Sequence, residues 1–244
     1  MKKLLFLLSI LIGINAFVEA QNLALSGIIT YERNENMHKQ FKDDNSWSAE
    51  RLKHMPKYKT DQFQLSFTSK HSLYKISLED ENPMFTWMKA AASNTVRMDL
   101  ETKKIICEKS IYEGNYRIAD SIPVYQWKML GEYRQIAGYN CRKAATILLD
   151  SIYVIAFYTD EIPVSTGPES FSGLPGMILG IVVPRLNLTY FATKVETQLL
   201  TDANFELPKS KAKNSTFQLF NEEISKAMKN WGEYGTKILW KANL

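Results

Sequence analysis

The chain has 244 residues, of which 45% are hydrophobic and 23% are charged, and its formal net charge is +4. These proportions are typical of a globular protein with a sizeable core. The positive excess is scattered apart from Lys209, Lys211 and Lys213, and the sequence has no basic stripe with interleaved aromatic residues. We therefore expect no nucleic-acid partner.

The first twenty residues have the layout of a cleaved secretory signal peptide. A positive start at residues 2–3 precedes an apolar run over 4–14, and Val18 and Ala20 stand at the small-residue positions before a cut. A membrane anchor is the alternative, but a spanning helix needs about 20 apolar residues and this run is shorter. We predict a signal peptide over 1–20 and one β-rich domain over 21–244, which is periplasmic or secreted and has no transmembrane segment or lipid anchor.

Most of the mature chain is predicted to form β-strands. Phe63, Leu65 and Phe67 alternate with polar residues, which is typical of a strand with one face on the core. A turn over 69–71 leads into a second strand over 73–78, so the two runs predict a hairpin. Further strand-like runs follow at 28–32, 95–100, 104–109, 116–119, 134–136, 140–148, 153–158, 177–183 and 188–195. This short and regular spacing favours an antiparallel meander.

Helical patterns are few. Short surface helices are predicted over 46–54 and 83–92. Near the end, apolar residues recur at steps of three and four, as on one face of a helix: Phe217, Phe220, Ile224, Met228 and Trp231. Ser215 with Gln218 fits a capping box, and Gly232 fits the stop. We expect this helix to pack on the sheet, because a membrane-surface helix would need a more basic polar face.

Together these patterns predict a mainly β fold. It consists of a single, strongly curved antiparallel sheet, half-barrel-like, with a C-terminal amphipathic helix and short surface helices.

The two cysteines, Cys107 and Cys141, form an even pair in a chain predicted to be exported, which suggests a disulfide. In the chain-entropy model such a bond would stabilise the fold by about 3–4 kcal/mol. A metal site is less favoured, because zinc usually takes four ligands. Two free buried thiols are the alternative.

The most specific pattern lies over 138–181. It begins at 138–144 with the sequence Gly-Tyr-Asn-Cys-Arg-Lys-Ala. Residues 157–163 are Phe-Tyr-Thr-Asp-Glu-Ile-Pro, and residues 173–178 are Gly-Leu-Pro-Gly-Met-Ile. Gly173 and Gly176 allow positive φ on both sides of Leu174 and Pro175, and the proline fixes φ between them. We therefore expect Leu174 to be an apolar plug on a stiff turn.

These residues resemble the GLPGLI family of exported bacterial proteins, found mostly among Bacteroidota. Met177 stands at the fifth place of the naming motif, where leucine is usual, and Phe157 stands where the family usually has tryptophan. The resemblance implies a structural role for Gly138, Tyr139, Cys141, Lys143, Ala144, Tyr158, Ile162, Pro163, Gly167, Pro168, Phe171, Gly173, Leu174, Pro175 and Gly176. The biochemical activity of that family is undefined. A looser resemblance extends to the half-barrels of lipoprotein carriers and to the N-terminal module of a bacterial peptide N-glycanase, and it concerns the fold.

No catalytic constellation is recognisable in the sequence. His38, His54 and His71 lack the spacing of metal ligands on a helix, and neither a Gly-x-Ser-x-Gly elbow nor a phosphate-binding glycine loop occurs. We therefore predict no catalytic, cofactor-binding or metal-binding residues and no cofactor, and a non-enzymatic protein is the simpler hypothesis.

Three functions remain open. The first is an exported, non-catalytic partner-binding or accessory protein of the cell envelope. The second is a half-barrel carrier or sensor of a small apolar ligand, and the third is a hydrolase or its accessory domain. An apolar cavity of several hundred Å³ would favour the carrier. Convergent acids or histidines would favour the enzyme, and a filled core with an exposed apolar patch would favour partner binding.

Overall fold

The structure is a computed structural model that describes residues 25–40, 52–85, 90–112 and 114–244. The predicted signal peptide and most of the predicted helix over 46–54 lie outside these residues. Strands are the main regular element of the described chain: β1 Gly27–Asn36, β2 Tyr58–Phe67, β3 His71–Leu78, β4 Thr95–Asp99, β5 Lys104–Ile111, β6 Gly114–Ser121, β7 Lys128–Ile136, β8 Tyr139–Leu148, β9 Ile152–Thr159, β10 Met177–Val183, β11 Leu188–Thr197 and β12 Lys213–Ser215. The α-helices are α1 Met37–Gln40, α2 Phe217–Met228 and α3 Gly232–Ala242, and short 3-10 helices occupy Pro83–Phe85, Pro184–Leu186 and Asp202–Phe205.

All these strands join in one open sheet with the order β12-β6-β5-β4-β3-β2-β1-β11-β10-β9-β8-β7. Neighbouring strands pair antiparallel except β12, which runs parallel to β6. The predicted mainly β, half-barrel-like fold is confirmed. The parallel pair makes the sheet mixed, because residues 213–215 form an added edge strand beside β6.

The predicted hairpin is β2 with β3, in which Phe67 lies opposite Ser72. Phe63, Leu65 and Phe67 are buried, as their alternation with polar residues indicated. The same alternation in β1 buries Ile29 and Tyr31 on the core side. These strands occupy the centre of the sheet, so their inward side chains form the middle of the core.

The C-terminal region contains two helices where the sequence predicted one. Helix α2 begins after Thr216, whose side chain accepts a hydrogen bond from the Leu219 N–H, rather than after Ser215. Gly232, with φ of 58°, opens α3 rather than ending α2, and Trp231 is 46% exposed. The turn after Met228 therefore breaks the face that the periodicity had extended. Among the described residues, no helix is long and apolar enough to cross a membrane.

Both helices cover the core side of the sheet. Phe220, Ile224 and Met228 of α2 and Ile238 of α3 belong to the same hydrophobic cluster as the inward residues of the strands. Pro83–Phe85 is the only helical part of the predicted helix over 83–92 within the described residues, and Phe85 packs in a separate small cluster with Met37 and Met55. The inner side of the half-barrel is thus occupied by protein side chains.

Candidate functional site

The connection from β9 to β10, residues 160–176, is folded into the inner side of the sheet, and we call it the motif loop. Ile162, Val164, Phe171 and Leu174 are each at most 4% exposed. The loop also bonds to the start of β10, where the Met177 N–H donates to the Ile162 carbonyl at 3.0 Å. The predicted apolar plug at Leu174 therefore lies in the main core, together with the rest of this loop.

At two positions of the motif loop, steric clashes would exclude any residue larger than glycine. Gly176 has φ of 151°, and a Cβ built there would lie 2.0 Å from the Thr159 carbonyl oxygen. A Cβ on Gly167 would lie 2.6 Å from the Cβ of Ile178. Gly173 has φ of 89°, and a Cβ there would make only ordinary contact with the Trp127 ring at 3.7 Å, so its constraint is conformational. The positive φ predicted on both sides of Leu174 and Pro175 is present.

Aromatic residues before β7 hold the middle of the motif loop. The hydroxyls of Tyr125 and Ser170 are 2.6 Å apart, and the Trp127 Nε1–H donates to the Ser172 carbonyl at 2.8 Å. The rings of Tyr125 and Trp127 lie 5.3 and 6.3 Å from that of Phe171. The indole thus gives the Ser172 carbonyl a hydrogen-bond partner, and the hydroxyl pair and ring contacts hold Ser170 and Phe171 in place.

Glu169 is 1% exposed. It is the only buried charged residue of the motif loop, all of which the structure describes. Its φ of 53° lies in the left-handed region. The Tyr190 hydroxyl donates to Oε1 at 3.1 Å and the Asn94 amide donates to Oε2 at 2.9 Å. Glu169 thus connects the loop to β11 and to the segment before β4.

A network of buried charges lies on β1, β2 and α3, and we call it the ion network. Arg33 lies 3.7 Å from Glu35 and 3.8 Å from Asp61, and Lys59 contacts Asp61 at 2.5 Å. Lys241 of α3 forms a close ion pair with Glu35. Its three cations and two carboxylates, with Glu169 nearby, keep the buried charge nearly balanced.

The ion network perturbs the ionisation of its own members. Burial disfavours the charge on Glu35, but Lys241 and Arg33 together outweigh burial and lower the pKa of this carboxyl. Burial lowers the pKa of Lys241, and Glu35 opposes that shift. Burial also raises the pKa of Tyr31, Tyr74 and Tyr190, so these inward phenols stay protonated.

The ion network and Glu169 were not predicted from the sequence, although a signal was present. Arg33 and Glu35 share the strand parity of Ile29 and Tyr31, and period-two alternation alone places them inward. Lys59 and Asp61 share the parity of Phe63 in the same way. The described members of the network are at most 11% exposed in their side chains, so its arrangement favours structural anchoring over contact with a substrate.

The C-terminal end of α3 is attached to the same interior. The Lys109 ammonium donates to the carbonyls of Ala242 and Leu244 at 2.8 and 3.1 Å. The Ser170 hydroxyl donates to the Leu244 carbonyl at 3.2 Å. A buried cation at the end of a helix satisfies carbonyls that lack intrahelical partners. The motif loop, α3 and β5 are therefore joined at one point.

Most of the remaining motif residues lie on strands β8 and β9 or in the turn between β7 and β8. Gly138 forms the β7–β8 turn with φ of 87°, and Tyr139, Cys141, Lys143 and Ala144 follow on β8. Lys143 pairs with Glu132 of β7 at 2.9 Å. Tyr158 of β9 is buried, and Pro163, Gly167 and Pro168 lie in the motif loop with those described above.

The two cysteines are free thiols in the structure, so the predicted disulfide is absent from it. Cys107 lies on β5 and Cys141 on β8, and seven strands separate β5 from β8 in the sheet order. Both are buried in the main hydrophobic cluster. Burial raises the pKa of Cys107 to about 12 and that of Cys141 to about 11. Both therefore remain protonated near neutral pH.

Pockets and titratable clusters bear on the choice among the three hypotheses. Three pockets lined by described residues measure about 150, 250 and 300 Å³. The largest of these is a polar crevice that includes Glu108, Lys109 and Asn115. Within the described residues, no group of three or more histidines, cysteines or acids is arranged to hold a metal ion.

The outer face of strands β8, β9 and β10 carries a row of apolar residues. We call this row the outer strip, and it consists of Ile147, Tyr153, Ile155 and Val182. Ile147 lies opposite Tyr153, and Ile155 lies opposite Val182. Ile147 is 62% and Tyr153 is 45% exposed. The outer face of β2 carries Thr60, Gln62, Gln64 and Ser66 instead. A sheet with one solvated face normally has polar residues on that face, so the outer strip is unusual.

A family described as "Protein of unknown function (Porph_ging)" matches residues 147–180, which include most of the outer strip and the motif loop. Comparison with curated proteins finds no match. Two structures of PNGF-II, in C2 and P21 space groups, share the fold with TM-scores of 0.53 and 0.52, each at 16% identity. The matches cover 83% and 84% of this chain, but 33% and 34% of the PNGF-II chains, so this chain spans about a third of their length. An uncharacterized conserved protein from Thermus thermophilus has a TM-score of 0.40 at 9% identity, with 80% of this chain and 93% of that chain covered.

Proposed function

We propose that this chain is an exported, non-catalytic protein of the periplasm or the cell exterior that binds a protein of the cell envelope. The observation that carries the proposal is the exposed outer strip on a half-barrel whose inner side is filled by its own motif loop. A carrier needs room on the inner side, and there the motif loop and the two C-terminal helices occupy the space. The outer strip, in contrast, is apolar surface that is exposed on the outer face of the sheet.

The outer strip has the character of a protein-binding surface. Tyr153 and Ile155 point away from the core on β9, while Val154 and Ala156 point into it. A strand with apolar residues on both faces is typical of a sheet covered on both sides. Contiguous exposed apolar patches on soluble proteins often mark interaction sites.

The comparisons support an accessory role. The fold matches about a third of PNGF-II, as a module of a longer chain would. The resemblance to the N-terminal module of a bacterial peptide N-glycanase agrees with this hypothesis.

Export rests on the signal-peptide pattern over residues 1–20, and its test is the N-terminal sequence of protein recovered from the envelope fraction. We expect a chain that begins at Gln21, and an intact Met1 in the cytoplasmic fraction would contradict export.

Site-specific photo-crosslinking in intact cells tests the partner. A photoreactive phenylalanine analogue replaces Ile147 in one variant and Lys194 in the control, because the Lys194 side chain is also well exposed, at 65%, on β11. We expect one discrete protein adduct from position 147 and none from position 194. Adding Tyr153→Lys to the first variant should remove the adduct without changing the melting temperature. The same adducts from both positions, or none from 147, would contradict binding through the outer strip.

A further inference from the structure

Three aromatic side chains form an exposed cluster far from the outer strip in sequence, and we call it the aromatic shelf: Tyr112, Trp231 and Tyr234. Tyr112 lies in the turn between β5 and β6, and the other two flank the start of α3. The Trp231 ring lies 5.1 Å from that of Tyr112 and 6.2 Å from that of Tyr234, the latter pair being nearly parallel at 14°. All three are 40–46% exposed.

Tyr112 is held in an unfavourable backbone conformation. Its φ is 52°, in the left-handed region that bulky side chains rarely adopt. A turn of this kind normally selects glycine or asparagine, because they reach this region with little strain. Partial burial, followed by a hydrogen bond between its hydroxyl and Tyr234, raises the pKa of Tyr112. The turn therefore retains an exposed aromatic residue at a position where glycine would relieve the strain.

The size of the aromatic shelf argues against a folded protein as its ligand. Aromatic side chains have on the order of 150–250 Å² each, so three that are less than half exposed present on the order of 200–350 Å². A stable protein interface buries about 800 Å² on each partner. The exposed area is instead close to that of one or two sugar rings.

The chemistry of the aromatic shelf matches a sugar. The C–H face of a pyranose ring packs on an aromatic face, while its hydroxyls bond to polar groups at the ring edges. Here these groups are the Tyr234 hydroxyl and the Trp231 indole N–H, since the Tyr112 hydroxyl already bonds to Tyr234. Glu233 and Lys237 beside the shelf pair with each other at 3.3 Å, so they leave little net charge. A pocket of about 150 Å³ between α2 and α3 is lined in part by Ser225, Thr236 and Gly235, and none of the three shelf residues lines it.

We propose that the aromatic shelf binds a pyranose ring of a glycan. This site is separate from the outer strip, and the crosslinking experiment at Ile147 does not depend on it. Saturation-transfer NMR tests it with maltotriose, cellotriose and tri-N-acetylchitotriose as probes for the full chain. We expect transfer to at least one of these sugars, with a dissociation constant in the millimolar range, and at least tenfold weaker binding in Trp231→Ala.

Two further variants separate binding from folding. Tyr112→Gly removes the ring and relieves the strain at φ of 52°, so we expect lost sugar binding with a melting temperature that is unchanged or higher. Tyr133→Ala, at an exposed tyrosine of β7, is the matched control and should bind as the parent chain does. No transfer to any of the three sugars, or equal transfer in the parent chain and Trp231→Ala, would overturn the proposal. A photo-crosslinked protein adduct from position 234, without sugar binding, would identify a protein site instead.

Discussion

The Tyr190 hydroxyl donates a hydrogen bond to Glu169 over 3.1 Å, and this bond joins a strand at the centre of the sheet to the motif loop. The other carboxylate oxygen of Glu169 accepts from Asn94, so three separate segments meet at one buried side chain. Such a bond replaces solvation that the carboxylate loses on folding. The motif loop is therefore fixed by polar contacts as well as by the burial of Phe171 and Leu174.

This relationship predicts coupling between Glu169 and Tyr190. Tyr190→Phe removes the donor to Oε1 of Glu169 and should lower the free energy of unfolding by about 1–3 kcal/mol, because that buried oxygen then lacks its partner. Glu169→Ala should cost more, since it removes both hydrogen bonds. Urea denaturation of both single variants and the double variant should give a coupling free energy of about 0.5–3 kcal/mol. Additive losses would show that the two residues act independently, and Tyr133→Phe is the control for loss of a hydroxyl.

The glycines of the motif loop predict a graded series. Gly176→Ala brings a Cβ to within 2.0 Å of the Thr159 carbonyl oxygen and should unfold the protein or lower its stability by more than about 3 kcal/mol. Gly173→Ala meets only the unfavourable φ of 89°, so a loss of about 1–2 kcal/mol is expected.

Gly131→Ala on β7 is the matched control for this series, because nothing lies within 4 Å of the position that its Cβ would take, and a change of less than about 0.5 kcal/mol is expected. Thermal and urea denaturation measure the order of stability of the three glycine variants. Equal stability of the Gly176 and Gly131 variants would refute a steric role for the motif.

Local patterns determine the parts of this fold that the sequence predicts well. The β2–β3 hairpin follows from the alternation around Leu65, and the helix α2 follows from apolar residues at three- and four-residue steps. The second helix was missed because Gly232 resembles a helix stop, and φ of 58° there is compatible with either end. Local signals of that kind do not define which side of a glycine is helical.

The candidate site is less accessible to sequence reasoning, because its residues meet only through the topology. Glu169 and Asn94 are 75 residues apart, and Lys241 and Glu35 are 206 residues apart. A charged residue in a strand is normally expected at the surface, which concealed the inward parity of Arg33. Only the order of strands brings these groups together.

The buried thiols predict a pattern of chemical labelling. With pKa values raised by burial to about 12 and about 11, Cys107 and Cys141 should not react with iodoacetamide in the native protein at pH 8. Both should react fully in urea, and intact mass gives the number of labels. A mass lower by two hydrogens, with no label in urea, would instead show the disulfide that the sequence suggested, and labelling after reduction is the control.

The ion network predicts a pH dependence of stability. The pKa of Glu35 is lowered in the folded state because Lys241 and Arg33 outweigh the effect of burial. Its contribution to stability is fully present above the unfolded pKa of about 4.3 and is lost as pH falls through the lower folded value. Glu35→Gln should lower the free energy of unfolding at pH 7 by about 3 kcal/mol, since it leaves Lys241 buried without its counter-charge.

The same variant should approach the parent chain in stability as the pH falls, because protonated Glu35 in the parent chain then also lacks its charge. Urea denaturation at pH 7, 4 and 3 measures the difference at each point. Glu233→Gln, which removes a carboxylate that is 77% exposed in its side chain, is the control and should change stability by less than about 0.5 kcal/mol. A difference between Glu35→Gln and the parent chain that stays constant from pH 7 to pH 3 would show that the Glu35–Lys241 pair does not anchor α3 electrostatically.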